Sequence, residues 1–454
     1  MKLFITLTKA LSFLSFLAIV FSCSNDVCEQ IDKVVYTSTL KLSQEEAIAW
    51  KITAENGNTL IPEEEAISMI QKMFITNKQT KSNTPFIVKK CQRVALNNAI
   101  TKSGNVIYYY VVEFIKDNKS GFSIVSADRR IPEVFSYSEN GSFADTTFNK
   151  GLRIFRNDLE SYIQQKVNRY NQDSLLSVVQ SRLIQTKSGW IDDDPIHWLI
   201  VPNVTFVPFD FTYMGSGESD YKEYILEKPV KTKWGQSSPY NSLLPFVSGI
   251  ETKNGRAYVG CGMIAVAQIM GYYKKNYKNI TLEDWNRITA TSSSQDSKLL
   301  SLMSDLFYGM KMGDPKPSGT NTDLDHSKSF LQNNGYSVGE KCDYNISKLQ
   351  TALSNYGPVI LRGNGSDGHQ WIVEGVKEVD VQDYDLYEKD DGYDIWRIKV
   401  QTTGATLFYI CCNWGQYGNA DGWYSGFSGY YTKEDGSKDY FDYTSNCQML
   451  NGIH

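Results

Sequence analysis

Histidine is scarce in this 454-residue chain, with four residues, at 197, 326, 369 and 454, so chemistry that needs an imidazole has few places to occur. The eight cysteines (23, 28, 91, 261, 342, 411, 412 and 447) include no CxxC pair. Adjacent Cys411 and Cys412 are poor zinc-ligand spacing, so neither a metal site nor any cofactor is expected. Basic charge is not in excess: 46 Lys+Arg against 51 Asp+Glu give a net charge of −5. A surface that neutralises phosphates is thereby excluded, and nucleic acid is not expected as a partner. No internal repeat is evident, and beyond the N-terminus there is no second apolar run that suits a membrane span. What remains is a folded composition, 41% hydrophobic and 21% charged. The length allows two or three domains, each with its own core.

The N-terminus, "MKLFITLTKALSFLSFLAIVFSC", carries Lys2 and Lys9 ahead of an apolar core from Ala10 to Phe21. That core is short for a membrane helix and suits an export signal over residues 1–22. Its "VFSC" ending resembles a bacterial lipobox, which makes Cys23 the lipid-bearing first residue of the mature protein. The rival reading is an ordinary signal peptide with an incidental cysteine. The expectation is an exported cell-envelope lipoprotein, held at the outer membrane by its lipid and either surface-exposed or released after maturation. With Cys23 lipidated and Cys261 free, an even number of cysteines is left, which permits disulfides without requiring them.

A polar tether follows over 23–40. "SQEEAIAWKI" and "IPEEEAISMIQKMFI" read as helical, the second opened by Pro62 and three glutamates suited to a helix N-terminus. "NVIYYYVVEFI" and "GFSIVSADRR" are β-rich runs around the hairpin signal "KDNKS". "FNKGLRIFRNDLESYIQQKVNRY" has apolar residues at helical spacing. Residues 41–187 thus form one α+β module, and it contains no convergent set of catalytic residue types. Residues 188–228 lack clean periodicity and read as an exposed linker with some strand character. A second module, 229–454, holds every chemically interesting residue.

In "VGCGMIAVAQIMGYY" a cysteine, Cys261, sits between two glycines, and of residues 262–270 only Gln268 is plainly polar. The segment reads as the start of a buried helix, with a thiol at its first turn. A packing role is one reading and a reactive one the other. A helix N-terminus and a neighbouring imidazolium both stabilise thiolate, the actual nucleophile. His369 opens the alternating strand "HQWIVEGV" behind the glycine-containing loop "RGNGSDG", where a lone histidine is ordinarily structural. Paired with Cys261 it becomes a candidate general base and acid. Gln236, in "KTKWGQSSPYN", lies in a loop that can bring an amide to a developing oxyanion. "FYICCNWGQYGNADGWYSG" reads as a strand followed by Asn413 and Trp414, able to orient and shield the imidazole. The adjacent cysteines are expected on alternate faces of that strand.

The stretches "KWGQSSPYN", "GCGMIAVAQIM", "GPVILRGNGSDGHQWIVEGV" and "NWGQYGNADGWYS" resemble the streptopain family of papain-clan cysteine peptidases. "GFSIVSADRRIPEVFSYSENGSF" resembles that family's inhibitory propeptide. The resemblance implies an α+β fold. A papain-like peptidase domain, with a helix-rich lobe carrying the cysteine and an antiparallel sheet lobe carrying the histidine, would follow a smaller α+β propeptide. It implies polypeptide substrates and the protein's own propeptide as intramolecular inhibitor. Carried over by residue, Cys261 matches the nucleophile, His369 the general base and acid, and Gln236 the oxyanion-hole glutamine. Trp414 matches a tryptophan packed by the imidazole, with Asn413 beside it as an imidazole-orienting candidate. Gly368 matches a backbone contact to substrate, and Ser318, in "KPSGTN", falls in the expected substrate wall. The sequence departs from the family in the bulkier "GMIAV" after the cysteine and in "YYKKNY", where a histidine-containing sequence often stands. Two rivals stay open: an inactive surface-binding lipoprotein on a peptidase-like fold, and a Cys-His acyltransferase of transglutaminase type.

Overall fold

Ser43 and Glu46 close a capping box at the start of α1 (Gln44–Ala54), each satisfying the other's free backbone N–H. The computed structural model describes residues 35–75, 86–100, 106–144, 149–185, 211–290, 295–363, 368–390, 392, 395–433, 435–442 and 447–454. The export signal 1–22, Cys23, the tether up to residue 34, residues 186–187 at the end of the first module and residues 188–210 of the linker lie outside the described residues.

The N-terminal module begins with β1 (Val35–Leu42) and α1, followed by α2 (Glu63–Ile70), which runs into a π-helical turn, Gln71–Ile75. The glutamates predicted at a helix N-terminus fill the first turn of α2, where the dipole favours negative charge. β2 (Ile87–Ile100), β3 (Val106–Lys116), β4 (Lys119–Ser126) and β5 (Val134–Ser138) form an antiparallel meander. Asp117 and Asn118 take φ of 50° and 61°, as a two-residue hairpin turn between β3 and β4 requires. α3 (Lys150–Arg169) is capped by the Asn149 side chain, and buries Leu152, Phe155, Leu159, Tyr162, Ile163 and Val167 on one stripe. α4 (Gln172–Gln185) ends the module.

The second module opens with β6 (Thr212–Glu227), then α5 (Cys261–Tyr273), α6 (Leu282–Ala290), α7 (Ser297–Met310) and α8 (Leu324–Asn333). There follow β7 (Lys341–Asp343), α9 (Ile346–Asn355), β8 (Val359–Gly363), β9 (His369–Asp390), β10 (Ile395–Thr402), β11 (Ala405–Asn413), β12 (Gly422–Thr432), β13 (Lys438–Asp442) and β14 (Cys447–Leu450). α5 packs on α7, α8 and β9, and residues 262–271 are all buried. The helix-rich lobe thus carries Cys261 and the antiparallel sheet carries His369, an α+β peptidase fold behind a smaller α+β module.

One sheet joins both modules, in the order β2-β3-β4-β5-β12-β11-β9-β8-β14-β7. The junction is β5 on β12, with Tyr137 opposite Trp423. Two expectations change here. Residues 35–40, expected as tether, belong to β1, which runs parallel to β10 over its whole length. Residues 212–227, expected as linker, form β6, paired with β9 from Thr212↔Glu388 to Glu227↔Gly375. Both strands lie on the long arm of β9 and β10, contacts that no local pattern encodes. The six described cysteines are free thiols. Cys411 and Cys412 do alternate faces: Cys412 is in the core, while the Cys411 thiol lies 3.7 Å from Glu374 Oε1.

Candidate active site

Glycines decide how the backbone approaches Cys261. Gly260 holds φ 105°, a left-handed value that a side chain disfavours, and turns the backbone into α5. At Gly262 an added Cβ would strike the Thr322 methyl and come within 2.6 Å of Gln370 Nε2. The thiol therefore stands at the first turn of α5, against β9, with the Gln370 N–H donating to its sulfur at 3.4 Å. Gln268, one helical stretch on, is fully buried. It accepts from Thr232 Oγ1 at 3.2 Å and donates to Asn413 Oδ1 at 3.3 Å, while Asn413 Nδ2 donates to the Thr232 carbonyl at 3.2 Å. This closed triad ties α5 to the end of β11 and explains the one polar residue in an otherwise apolar run.

His369 is 1% exposed. Its Nε2 lies 3.1 Å from the Trp414 carbonyl oxygen, which can only accept, so Nε2 carries the proton. The nitrogen left to serve the thiol is Nδ1, which makes no hydrogen bond among the described residues. Burial pushes the Cys261 thiol up, but the charge of His369 beside it, the Gln370 N–H and the Lys150 ammonium outweigh that, and the thiol falls to about 7.

Trp414 holds the imidazole through its backbone and is itself held: its N–H donates to Asp421 Oδ1 at 2.9 Å, and its indole N–H to the Ala420 carbonyl at 2.9 Å. Lys233 pairs with the other Asp421 oxygen at 2.9 Å. Asp421 and Lys233 were not singled out from sequence, since an aspartate in a glycine-rich turn carries no distinguishing signal. Asn413 does not orient the imidazole. Its amide is held in the Gln268–Thr232 triad, and the contact to the imidazole comes from the Trp414 carbonyl just past the end of β11.

The Gln236 carbonyl accepts from the Val259 N–H at 2.8 Å, tying its loop to the segment that delivers Cys261. Its side-chain amide is half-buried and takes no partner among the described residues. Gly235 is required where the Tyr417 ring covers the backbone, and the Tyr417 hydroxyl accepts from the Ser237 N–H at 2.9 Å. Gly368 stands next to His369 with φ 20°. The Ser318 carbonyl accepts from Lys150 Nζ at 3.2 Å, so the expected substrate wall is in contact with the N-terminal module.

That contact is the start of α3. A Cβ at Gly151 would collide with the Trp414 indole and lie 2.8 Å from His369 Cδ2. Ile154, one turn on, covers Gly363 and Trp371. The first turn of α3 therefore lies directly on the imidazole and its tryptophan, closing the space where a substrate would cross.

Comparison with known proteins finds a family model for each module. Residues 234–424 match the model of the peptidase C10 family, and residues 58–163 that of the Spi protease inhibitor. Streptopain of Streptococcus pyogenes serotype M28 is 24% identical over 361 residues, covering 68% of this chain and 77% of the relative. Streptopain of serotype M1 is 24% identical over 362 residues with the same coverage. The chain thus carries a cysteine peptidase domain of the C10 family, similar to streptopain, and ahead of it in the same polypeptide a module of the Spi protease inhibitor family.

Proposed function

We propose that the protein is an exported cysteine endopeptidase made as a zymogen, working through a Cys261–His369 dyad and an acyl-enzyme. The observation that carries this reading is the thiol at the first turn of α5 facing an imidazole whose far nitrogen is fixed by the Trp414 carbonyl. Thiolate Cys261 attacks the scissile carbonyl carbon, forming the C–S bond and an oxyanion. The Gln236 amide and the Cys261 backbone N–H donate to that oxyanion. His369 gives its Nδ1 proton to the leaving amine as the C–N bond breaks. It then takes a proton from water, which attacks the thioester, and the C–S bond breaks to release the acid. Gly368 and the wall at Ser318 flank the substrate on this reading. Trp414 keeps the ring turned, and Asn413 acts only by tying β11 to α5.

Residues 41–187 serve as inhibitory propeptide, 229–454 as peptidase, and the activating cut falls in the segment between them. The pairing of β6 with β9 supports a cut ahead of that strand, before residue 211. Cys23 bears the lipid that anchors the precursor. Among the described residues no helix is long and apolar enough to cross a membrane.

The test is peptide hydrolysis by the matured protein beside Cys261→Ala. The reading expects activity to vanish in the variant, and full activity retained there would end it. Amine incorporation exceeding hydrolysis would select an acyltransferase instead.

A further inference from the structure

Resting on the peptidase reading above, we infer that the apolar bay beneath α3 is a substrate subsite on the leaving-group side of the scissile bond, selecting an aromatic side chain. With α3 docked, the bay keeps only about 30 Å³ of free space. One wall is α3 itself, through Ile154, Phe155 and Asp158. The other is the peptidase sheet, including Tyr344, Trp371, Trp414, Tyr424 and Phe427. His369 does not line the bay but borders it through a lining residue: Trp371 stacks on His369 at 6.1 Å, and Trp414 lies 5.2 Å from Trp371. No residue of α5, nor Gln236 or Ser318, lines it. The acyl half of a substrate stays bonded to Cys261, whereas the amine half leaves across the ring that protonates it. The substrate segment that follows the scissile bond is therefore the part that reaches the bay.

Its occupant in the zymogen indicates what fits. The Phe155 ring meets Tyr424 edge-on at 4.8 Å and stacks on Phe427 at 5.5 Å. When α3 withdraws, both rings lose that partner. Phe427 is held at φ 51°, a left-handed value costly for a side-chain-bearing residue. A register shift between β11 and β12, from Leu407↔Gly429 to Tyr409↔Ser425, creates the irregularity that holds it. The bay also carries orphaned polar atoms. Tyr344 is 6% exposed and its hydroxyl has no partner among the described residues. Trp371 Nε1 has no nitrogen or oxygen partner there, with only the Cys412 sulfur, a weak acceptor, beside it. An aromatic ring replaces Phe155, and a tyrosine adds an oxygen that can satisfy these groups.

The test uses the enzyme after its own maturation and internally quenched peptides sharing one acyl half. Tyrosine, phenylalanine, leucine or glycine is placed in turn at each early position after the scissile bond, and an aminocoumarin amide lacking residues there serves as reference. At one position tyrosine and phenylalanine should exceed glycine by at least about tenfold in kcat/KM. Phe427→Ala should flatten that ratio, and Tyr344→Phe should narrow the gap between tyrosine and phenylalanine. If Phe427→Ala does not fold, the scan of the unaltered enzyme decides alone. Ratios within about twofold at every position, with the coumarin amide still cleaved, overturn the subsite and leave the peptidase reading intact. Failure to cleave any of the substrates overturns both.

Discussion

A buried thiol is ordinarily inert, because loss of solvent disfavours its charged form. Cys411 and Cys412 behave that way: burial pushes both well up. Cys261 differs through its neighbours. Removing the imidazole leaves burial with less opposition, so His369→Ala should move the alkylation profile of Cys261 from near 7 to 9 or above, measured by iodoacetamide labelling against pH. Gln236→Ala should lower kcat by about 10²–10³ while the thiol profile stays in place, since its amide meets the oxyanion and not the sulfur. On the inhibitor side, Gly151→Leu should force the start of α3 off Trp414 and His369, and the uncut protein should gain peptide hydrolysis. Cys261, His369 and Gln236 could be singled out as candidates from sequence because chemistry restricts which residue types can occupy the proposed roles. The Trp414 carbonyl could not, because a backbone oxygen has no sequence signature, and attention fell on the neighbouring Asn413 amide.

Helix α3 carries a second signal at the scale of an element. Asp158 faces the bay with no cation to answer it among the described residues, and burial alone raises its carboxyl to about 6 from an ordinary 3.8. The docked form thus favours the protonated acid. Its contribution to docking is fully present below about 4 and is lost as pH rises through 6. At neutral pH the ionised group costs on the order of 2 kcal/mol. Asp158→Asn should accordingly raise the denaturation midpoint of the uncut protein at pH 7.5 and leave it little changed at pH 4. The periodicity of α1, α2 and α3, the β3–β4 hairpin and the buried character of α5 were all legible, because each is set by local spacing and turn chemistry. β1 and β6 were not. Their partners lie some 150 to 360 positions away, on β9 and β10, and the Gly- and Ser-containing "GSGESD" of β6 reads locally as a loop.

Across the whole molecule, the inhibitor module and the peptidase are built on one sheet and share cores. Phe155 and Leu159 pack in one cluster with Trp371 and Trp414, and Leu42 and Trp50 in another with Tyr387 and Val400. Lys51 of α1 pairs with Asp385 of β9 at 3.5 Å. Two modules were evident in the sequence, but their continuity was not, since the joining pairs β5–β12 and β1–β10 depend on tertiary proximity alone. The most direct measurement incubates purified protein lacking residues 1–23 and sequences any new N-terminus, with Cys261→Ala beside it. The account predicts a cut before residue 211, the appearance of peptidase activity with it, and an uncut, inactive Cys261→Ala protein. Self-cleavage and activity persisting in Cys261→Ala would contradict it.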